Sequence, residues 1–214
     1  IRHLGFSAHG SCSVMKRFLD AYGEQMEFGQ IQLNWLDWTF QDARGKVELL
    51  KEYHLPVWVM EPLRGGKIAH LTEEEMKKLN IHRKDTSAVE WAFRFLQTLP
   101  EVTMILSGMS SLEQLKQNIE IFQTEKVLQK DEVEALLAVA DGMLNGKLPC
   151  TSCRYCTNHC PQKLDIPKLL ELYNEHTFTG GGFIAPMVIA TIPKEKQPSA
   201  CIGCKSCEAV CPQQ

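Results

Sequence analysis

The sequence lacks the features that mark several classes of protein. Its 23 basic and 26 acidic residues give a net charge of −3, without the basic excess that favours nucleic-acid binding. No apolar run reaches the ~18 residues needed to span a bilayer. The first residues, Ile1-Arg2-His3, carry none of the apolar region of a secretory signal. We therefore expect a cytoplasmic protein without a nucleic-acid or membrane partner.

A Gly-x-Gly-x-x-Gly motif is also missing, which excludes the usual Rossmann dinucleotide site. A starting Met and a polar tail are missing as well. The chain begins at an apolar segment and stops at Cys211-Pro212-Gln213-Gln214. Natural chain ends are usually polar and poorly ordered. We therefore expect this sequence to be a fragment of a longer protein, cut at both ends.

Cysteine, in contrast, is abundant at one end of the chain. Eight of the nine cysteines lie in the last third, and only Cys12 lies outside it. Disulfides belong to oxidising compartments and to small secreted domains, so this clustering favours metal binding. We interpret Cys12 as a small apolar residue of the core.

The clustered cysteines form two runs with the same pattern, C-x2-C-x2-C-x3-C-P. The runs are Cys150, Cys153, Cys156, Cys160 and Cys201, Cys204, Cys207, Cys211. Zinc is the alternative, but a tetrahedral site of four cysteines has no use for a third cysteine at this spacing. The pattern is typical of two-cluster [4Fe–4S] proteins, in which the fourth cysteine of each run binds the other cluster. We therefore expect one cluster on Cys150, Cys153, Cys156 and Cys211, and another on Cys201, Cys204, Cys207 and Cys160.

The first part of the chain alternates apolar runs with helical patterns. Apolar runs typical of buried parallel strands lie at 4–6, 31–35, 57–60 and 102–106. Stripes with a period of 3.6 residues predict helices at 13–22, 46–53, 86–99 and 112–122. Four βα units are half of a (βα)8 TIM barrel, since a complete barrel needs ~250 residues. The α/β prediction is thus the C-terminal half of a barrel, with a small open sheet as the alternative.

A second, smaller domain is predicted to follow. A further helix at 129–144 ends at Asn145-Gly146, so we place one domain at 1–146 and the next at 147–214. Between the cysteine runs, Asp165 is a candidate cap for a helix at 166–174. A spacer rich in Gly and Pro follows, and we expect it to be irregular. The domain is predicted to be a two-cluster, ferredoxin-like α+β domain.

Four segments of the first domain resemble the C-terminal half of the aldo-keto reductase family. Gly5-Phe6-Ser7 resembles the Gly-x-Ser motif of the family's fifth strand, and residues 31–34 resemble the sixth strand with its glutamine, Gln32. Residues 61–66 resemble the Ser-Pro-Leu-x-Gly-Gly loop after the seventh strand, and residues 108–118 resemble the segment after the eighth. The whole chain resembles the subgroup of this family with a C-terminal two-cluster ferredoxin module.

The resemblance implies NADP(H) or NAD(H) as cofactor and a small-molecule carbonyl compound as substrate. A serine and a glutamine would bind the carboxamide of nicotinamide, a glycine loop would approach the pyrophosphate, and a helix N-terminus would favour the phosphate. The assigned residues are Ser7, Gln32, Pro62, Leu63, Gly65, Gly66, Ser110, Gln114 and Asn118. The family's catalytic Asp, Tyr, Lys and His lie on the first four βα units. We therefore assign no catalytic residue and expect this chain alone to be inactive.

Three functions stay open at this point. The first is an NAD(P)-dependent reductase whose clusters transfer electrons or add stability. The second is an electron-transfer protein that uses the barrel as a scaffold for a redox partner protein. The third gives the clusters a structural or redox-sensing role. A flavin-linked protein is a further alternative, because nicotinamide passes two electrons as hydride whereas a cluster passes one.

We expect the chain, reconstituted without oxygen, to bind roughly eight irons and eight sulfides. Iron and acid-labile sulfide analysis measures this directly, and zinc without labile sulfide would overturn the assignment. The Cys160→Ser variant is expected to damage the cluster held mainly by the second run. Damage confined to the cluster of the first run would show that the fourth cysteines do not cross over.

Overall fold

The computed structural model describes residues 2–124, 126–144, 146, 148, 150, 154–178 and 180–211. The chain divides into two compact units, Ile1–Gly142 and Met143–Gln214. No helix in the described part of the chain is long and apolar enough to cross a membrane.

The first unit is built on a parallel sheet of four strands in the order β1-β2-β3-β4. The strands are β1 (Gly5–Ala8), β2 (Phe28–Gln32), β3 (Val57–Met60) and β4 (Val102–Ile105). Among the described residues, these strands are accompanied by the α-helices α1 (Cys12–Tyr22), α2 (Asp37–Phe40), α3 (Ala43–Glu52), α4 (Glu73–Asn80), α5 (Ala88–Gln97), α6 (Leu112–Gln123) and α7 (Lys130–Leu144). The alternating strands and helices confirm the α/β prediction.

The second strand begins and ends three residues earlier than predicted. The Phe28 ring stacks on Trp58 with centroids 3.7 Å apart, and the Gly29 N–H donates to Pro56 O at 3.0 Å, so pairing with β3 starts before the apolar run. Leu33 and Trp35 are fully buried but lie in the loop after the strand. Burial alone therefore extended the predicted strand too far.

Helix α4 has no counterpart among the predicted helices, although the sequence carries its start signal. The Thr72 hydroxyl accepts from the Glu75 N–H at 3.3 Å, while the Glu75 carboxylate accepts from the Thr72 N–H at 2.8 Å. This reciprocal capping box satisfies donors that a helix start otherwise leaves unpaired. Only Leu79 of α4 is buried, so the helix has too narrow an apolar stripe for a periodicity argument to find.

The sheet has two different faces. Ile31, Val57 and Val59 have no exposed surface, whereas on the opposite face Gln30 and Trp58 are half-buried and Met104 is exposed. Within the described residues, β1 and β4 each pair with one strand only, so both edges of the sheet are open. A closed barrel would remove these edges.

An apolar cleft of about 560 Å³ lies beside the β4 edge. Met104 on the strand and Leu115, Ile119 and Phe122 on α6 are each at least 40% exposed there. A monomeric protein rarely leaves such a contiguous apolar surface open. In a closed barrel, a further strand would cover this edge.

The second unit, in its described residues, consists of helices and short turns. Its helices are α8 (Tyr155–His159), α9 (Ile166–Phe178) and α10 (Ile184–Thr191), followed by the 3-10 turns Lys194–Lys196 and Pro198–Ala200. Asp165 caps α9 by accepting from the Lys168 N–H at 3.4 Å. The strands that an α+β domain contains are not among its described residues. Asn145, part of the predicted cap of α7, lies outside the described residues.

The prediction of an irregular spacer is wrong, because α10 forms within it. Pro186 lies in the first turn of α10, where a missing N–H breaks no helical hydrogen bond. Pro193 lies two residues after Thr191, the last helical residue, and the left-handed Gly180 and Gly181 lie shortly before the helix begins at Ile184. The glycines and prolines therefore delimit a helix instead of preventing one.

A nearly buried ion pair attaches α7 to the turn after α4. The Arg83 guanidinium donates to both carboxylate oxygens of Glu132, at 2.7 and 2.8 Å, and these side chains are 20% and 9% exposed. The same carboxylate accepts from the Gln129 N–H at 2.7 Å. The Arg83 hydrogen bond holds the pKa of Glu132 below its ordinary value.

The Glu132→Gln variant is expected to lower the free energy of unfolding by about 2 kcal/mol at neutral pH, because it breaks a charge-assisted pair. Since the pKa of Glu132 is lowered by folding, the pair stabilises fully above the ordinary glutamate pKa and is lost as pH falls. The difference between wild type and variant should therefore shrink on acidification.

Urea denaturation at several pH values measures this effect. Glu134→Gln is the matched control, because Glu134 pairs with Lys130 at 3.7 Å while both side chains are mostly exposed. It should leave the midpoint nearly unchanged. Equal losses in the two variants would contradict the role given to the Arg83 pair.

Candidate functional site

The carboxyl ends of the four strands gather the polar residues that the sequence singled out. Ser7 is opposite Gln30 in the pairing of β1 with β2, and Gln32 is opposite Met60 in the pairing of β2 with β3. Since side chains alternate along a strand, these residues lie on the half-buried face and not on the face that packs against helices. Functional sites of such barrels lie at this end of the strands.

Met60 occupies the centre of this face and has two polar neighbours. The Ser7 hydroxyl lies 4.0 Å and the Gln30 amide nitrogen 3.7 Å from its sulfur. Thioether sulfur is a weak acceptor, so the Ser7 hydroxyl keeps its capacity to donate to a ligand. Gln30, which the sequence argument did not single out, shares the face with the predicted residues.

A buried carboxylate joins the loops that follow β2 and β3. Asp37 accepts from the side-chain nitrogens of Gln32 at 2.8 Å and of Asn34 at 2.7 Å, and Arg64 Nε lies 3.2 Å from its other oxygen. Asn34 in turn accepts from the Asp37 N–H at 2.8 Å and donates to Glu61 O at 3.0 Å. Asp37 and Asn34 are fully buried. The network therefore fixes one loop against the other.

The loop at 61–66 turns back on itself through left-handed residues. Glu61, Arg64, Gly65 and Gly66 have φ values of 57°, 49°, 63° and 86°. The Gly66 N–H donates to Leu63 O at 2.9 Å, and Pro62 is buried beneath the turn. No atom of the described residues lies within 4 Å of where a Cβ on Gly66 would stand. The loop thus presents bare backbone to open space.

Helix α6 begins with a capping box that uses one of the predicted cofactor residues. The Gln114 side-chain oxygen accepts from the N–H groups of Ser110 at 2.8 Å and Ser111 at 3.3 Å, while the Gln114 N–H donates to the Ser111 hydroxyl at 3.2 Å. Asn118 is buried and donates to the Ser107 hydroxyl at 3.2 Å. The structure thus engages Gln114 and Asn118 in local hydrogen bonds and leaves Ser110 exposed.

Residues with left-handed backbone lie within and next to the cysteine runs of the second unit. Arg154, Lys163, Gly203 and Lys205 all have positive φ values. All eight cysteines within the described residues are free thiols. Cys153 lies outside the described residues.

Hydrogen bonds at two of these cysteines fit thiolate ligands. The Leu164 N–H donates to Cys160 Sγ at 3.5 Å. The backbone N–H of Ser206, followed by its hydroxyl, holds the pKa of the Cys204 thiol below its ordinary value. Both contacts favour a negatively charged sulfur, which is the form that binds iron.

No three metal-binding side chains among the described residues gather around a single ion. In a [4Fe–4S] cluster, each cysteine binds a different iron at a different corner of the cube. The ligand sulfurs are therefore farther apart than the ligands of one ion. The donor set consists of cysteines, and the sulfurs of Cys160 and Cys204 each have a backbone N–H donor.

The first unit and the cysteine unit each match a known family. Residues 1–141, more than half of the chain, match the model of the Aldo/keto reductase family. The chain belongs to the aldo/keto reductase family. Residues 149–214 match the 4Fe-4S dicluster domain, which supports [4Fe–4S] clusters on the two cysteine runs. No curated protein matches the chain.

Solved aldo-keto reductases share the fold of the first unit. The chain is similar to AKR11C1 from Bacillus halodurans in its holo form, with 20% identity and a TM-score of 0.53 over 65% of this chain and 50% of that chain. It is also similar to the thermostable aldo-keto reductase Tm1743, with 19% identity and a TM-score of 0.51 over 65% of this chain and 48% of that chain. These matches confirm the TIM-barrel fragment. The chain spans about half the length of these reductases.

The centre of the polar network, Asp37, is not among the site residues predicted from the sequence. Asn34 lies in the predicted strand at 31–35 and Asp37 in the loop after it, and Arg64 is one of two unassigned positions in the loop at 61–66. The available signal was the spacing Asn34-x-x-Asp37 directly after a buried strand. A short polar segment at a strand's carboxyl end points to a site in such a fold.

A glycine is required at position 66 because the backbone there is left-handed, and not because a side chain would lack space. The Gly66→Ala variant is expected to lower the free energy of unfolding by about 1 kcal/mol, because a Cβ is strained at a φ of 86°. Gly142→Ala is the matched control, since Gly142 lies in α7 with open space around it and no positive φ. It should be neutral or stabilising. Chemical denaturation of both variants checks the opposite signs.

Proposed function

We propose that this chain forms the cofactor-binding part of an NAD(P)H-dependent reductase of carbonyl compounds that also carries two [4Fe–4S] clusters. The observation that carries the proposal is that Ser7, Gln32 and the open loop at 61–66 all lie at the carboxyl ends of the strands. The chain's membership of the aldo/keto reductase family and its 4Fe-4S dicluster domain support an iron–sulfur oxidoreductase. The nicotinamide cofactor and the carbonyl substrate go beyond that and are proposed.

Each group of residues at the carboxyl ends of the strands offers a different interaction to a dinucleotide. The Ser7 hydroxyl has a proton to donate to a carboxamide oxygen. The turn of Pro62, Leu63, Gly65 and Gly66 brings backbone close to a pyrophosphate without a side chain between them. Gln114 and Asn118 lie on α6 and Ser110 directly precedes its N-cap residue, and a helix N-terminus favours an anionic group.

The capping box changes how α6 would contribute. Because Gln114 Oε1 already accepts from the Ser110 and Ser111 N–H groups, these donors are satisfied without a ligand. A phosphate there would have to displace the Gln114 side chain or bind the Ser110 hydroxyl. Gln114 therefore contributes by orienting the helix start as well as by any direct contact.

The clusters raise a question of electron count. A hydride carries two electrons, and each cluster accepts one, so a direct exchange between NADPH and a cluster needs a one-electron step that nicotinamide performs poorly. We therefore assign carbonyl reduction to the nicotinamide cofactor. We assign to the clusters a role in structure, in redox sensing or in electron exchange with a redox partner protein. The second candidate is an electron-transfer protein with a flavin or a bare scaffold in the barrel.

The test uses a protein that carries this chain together with a complete barrel. Anaerobic addition of NADPH is expected to support reduction of an aldehyde while the cluster EPR signal stays absent on that timescale. Dithionite, as the positive control, should produce the reduced-cluster signal. Rapid appearance of that signal with NADPH alone, without added flavin, would favour the electron-transfer candidate.

A further inference from the structure

The side-chain amide of Gln32 has only one orientation that its surroundings accept. Its contact at 2.8 Å is with a carboxylate oxygen of Asp37, and a carboxylate accepts hydrogen bonds but donates none. The salt bridge from Arg64 and the 2.7 Å contact from Asn34 also bring donors to this carboxylate. Gln32 must therefore turn its nitrogen toward Asp37.

The opposite end of the amide is consequently an acceptor. Gln32 Oε1 accepts no hydrogen bond from the described residues, and the side chain is half-buried on the face that carries Ser7. A group that approaches this oxygen gains a hydrogen bond only if it brings an N–H or O–H donor. An acceptor or a methyl group at that place would leave the oxygen without a partner or repel it.

We propose that Asp37 is a positioning residue that makes this site selective for a ring substituent with an N–H donor, as in the carboxamide of a nicotinamide dinucleotide. The inference rests on the proposed function, because the ligand belongs to it. Asp37 acts through Gln32, whose oxygen contacts the amide N–H of the ring substituent, while Ser7 contacts its carbonyl oxygen. Donor and acceptor on the protein thus match acceptor and donor on the ligand.

Asp37 suits this role because it cannot move independently of the site. It has no exposed surface and is held by groups from both loops, at distances of 2.7 to 3.3 Å. An Asn at this position has nearly the same shape, but it offers an N–H as well as an oxygen. Gln32 could then turn either end of its amide toward position 37, and the preference for an N–H donor would be lost.

The first experiment tests the orientation in this chain without any dinucleotide. The side-chain NH2 protons of Gln32, assigned by NMR, are expected to exchange about tenfold more slowly than those of exposed glutamines and to shift when Asp37 is changed to Asn. Asp85→Asn is the matched control, since Asp85 is exposed, and it should leave the Gln32 signals unchanged. Gln32 NH2 protons that exchange as fast as exposed ones in the wild type would overturn the proposal.

The second experiment tests selectivity in a protein with a complete barrel. NADPH is compared with its reduced 3-acetylpyridine analogue, which keeps the carbonyl oxygen but replaces the NH2 by a methyl group. The wild type is expected to bind NADPH about tenfold more tightly than the analogue. The Asp37→Asn and Gln32→Met variants are expected to bind the two ligands with about equal affinity. The Asp85→Asn variant should prefer NADPH as strongly as the wild type does. Equal binding of the two ligands by the wild type would refute the inference whether or not any variant folds.

The two failures are distinguishable. If the protein binds neither dinucleotide while the Gln32 protons are protected, then the proposed function fails and the orientation of the amide stands. If both dinucleotides bind with equal affinity, the proposed function stands and the role of Asp37 fails. Binding of 2′,5′-ADP, which lacks the ring, should be the same in the wild type and in all three variants.

Discussion

The buried carboxylate of Asp37 is the constraint on which the site depends. A charged group without exposed surface is tolerated only when donors surround it, and here they come from the ends of two neighbouring strands. Satisfying that carboxylate therefore requires the two loops to adopt one mutual arrangement. The left-handed backbone at Glu61 and Arg64 follows from this, since it brings the guanidinium and the Glu61 carbonyl to the network.

The two-sided sheet explains why the same strands supply both stability and chemistry. Ile31, Val57 and Val59 pack against helices, and the residues between them lie on the opposite face with their polar groups accessible. A barrel encloses that face, which excludes water from a reacting centre while keeping the strand ends open. The 4Fe-4S dicluster domain lies outside this sheet, in a separate unit with its own short helices.

The sequence predicted the parts of the fold that depend on periodicity. Strand β3 matches its predicted bounds, and the stripes of α1 and α6 differ from theirs by one residue at an end. Helices α4 and α10 were not predicted because their signals are local. The signal of α4 is a capping box at Thr72, and that of α10 is the glycines and prolines that flank it. Of the site, the spacing of the cysteines predicted the metal ligands and the family resemblance predicted the glycine loop, and the roles of both stay predictions. The Asp37 network depends on contacts between loops 27 residues apart in sequence, which no local pattern reveals.

One further contact links the cysteine unit's core to its ligands. The Asn174 side chain on α9 both accepts from the Leu148 N–H and donates to Leu148 O, at 2.8 Å each, and thereby holds the peptide two residues before Cys150 as a neighbouring strand would. A group that bound at Cys150 in the folded unit alone would therefore also stabilise α9. The Asn174 amide, together with the Arg154–Asp165 salt bridge at the cap of α9, would transmit loss of such a group to the helix.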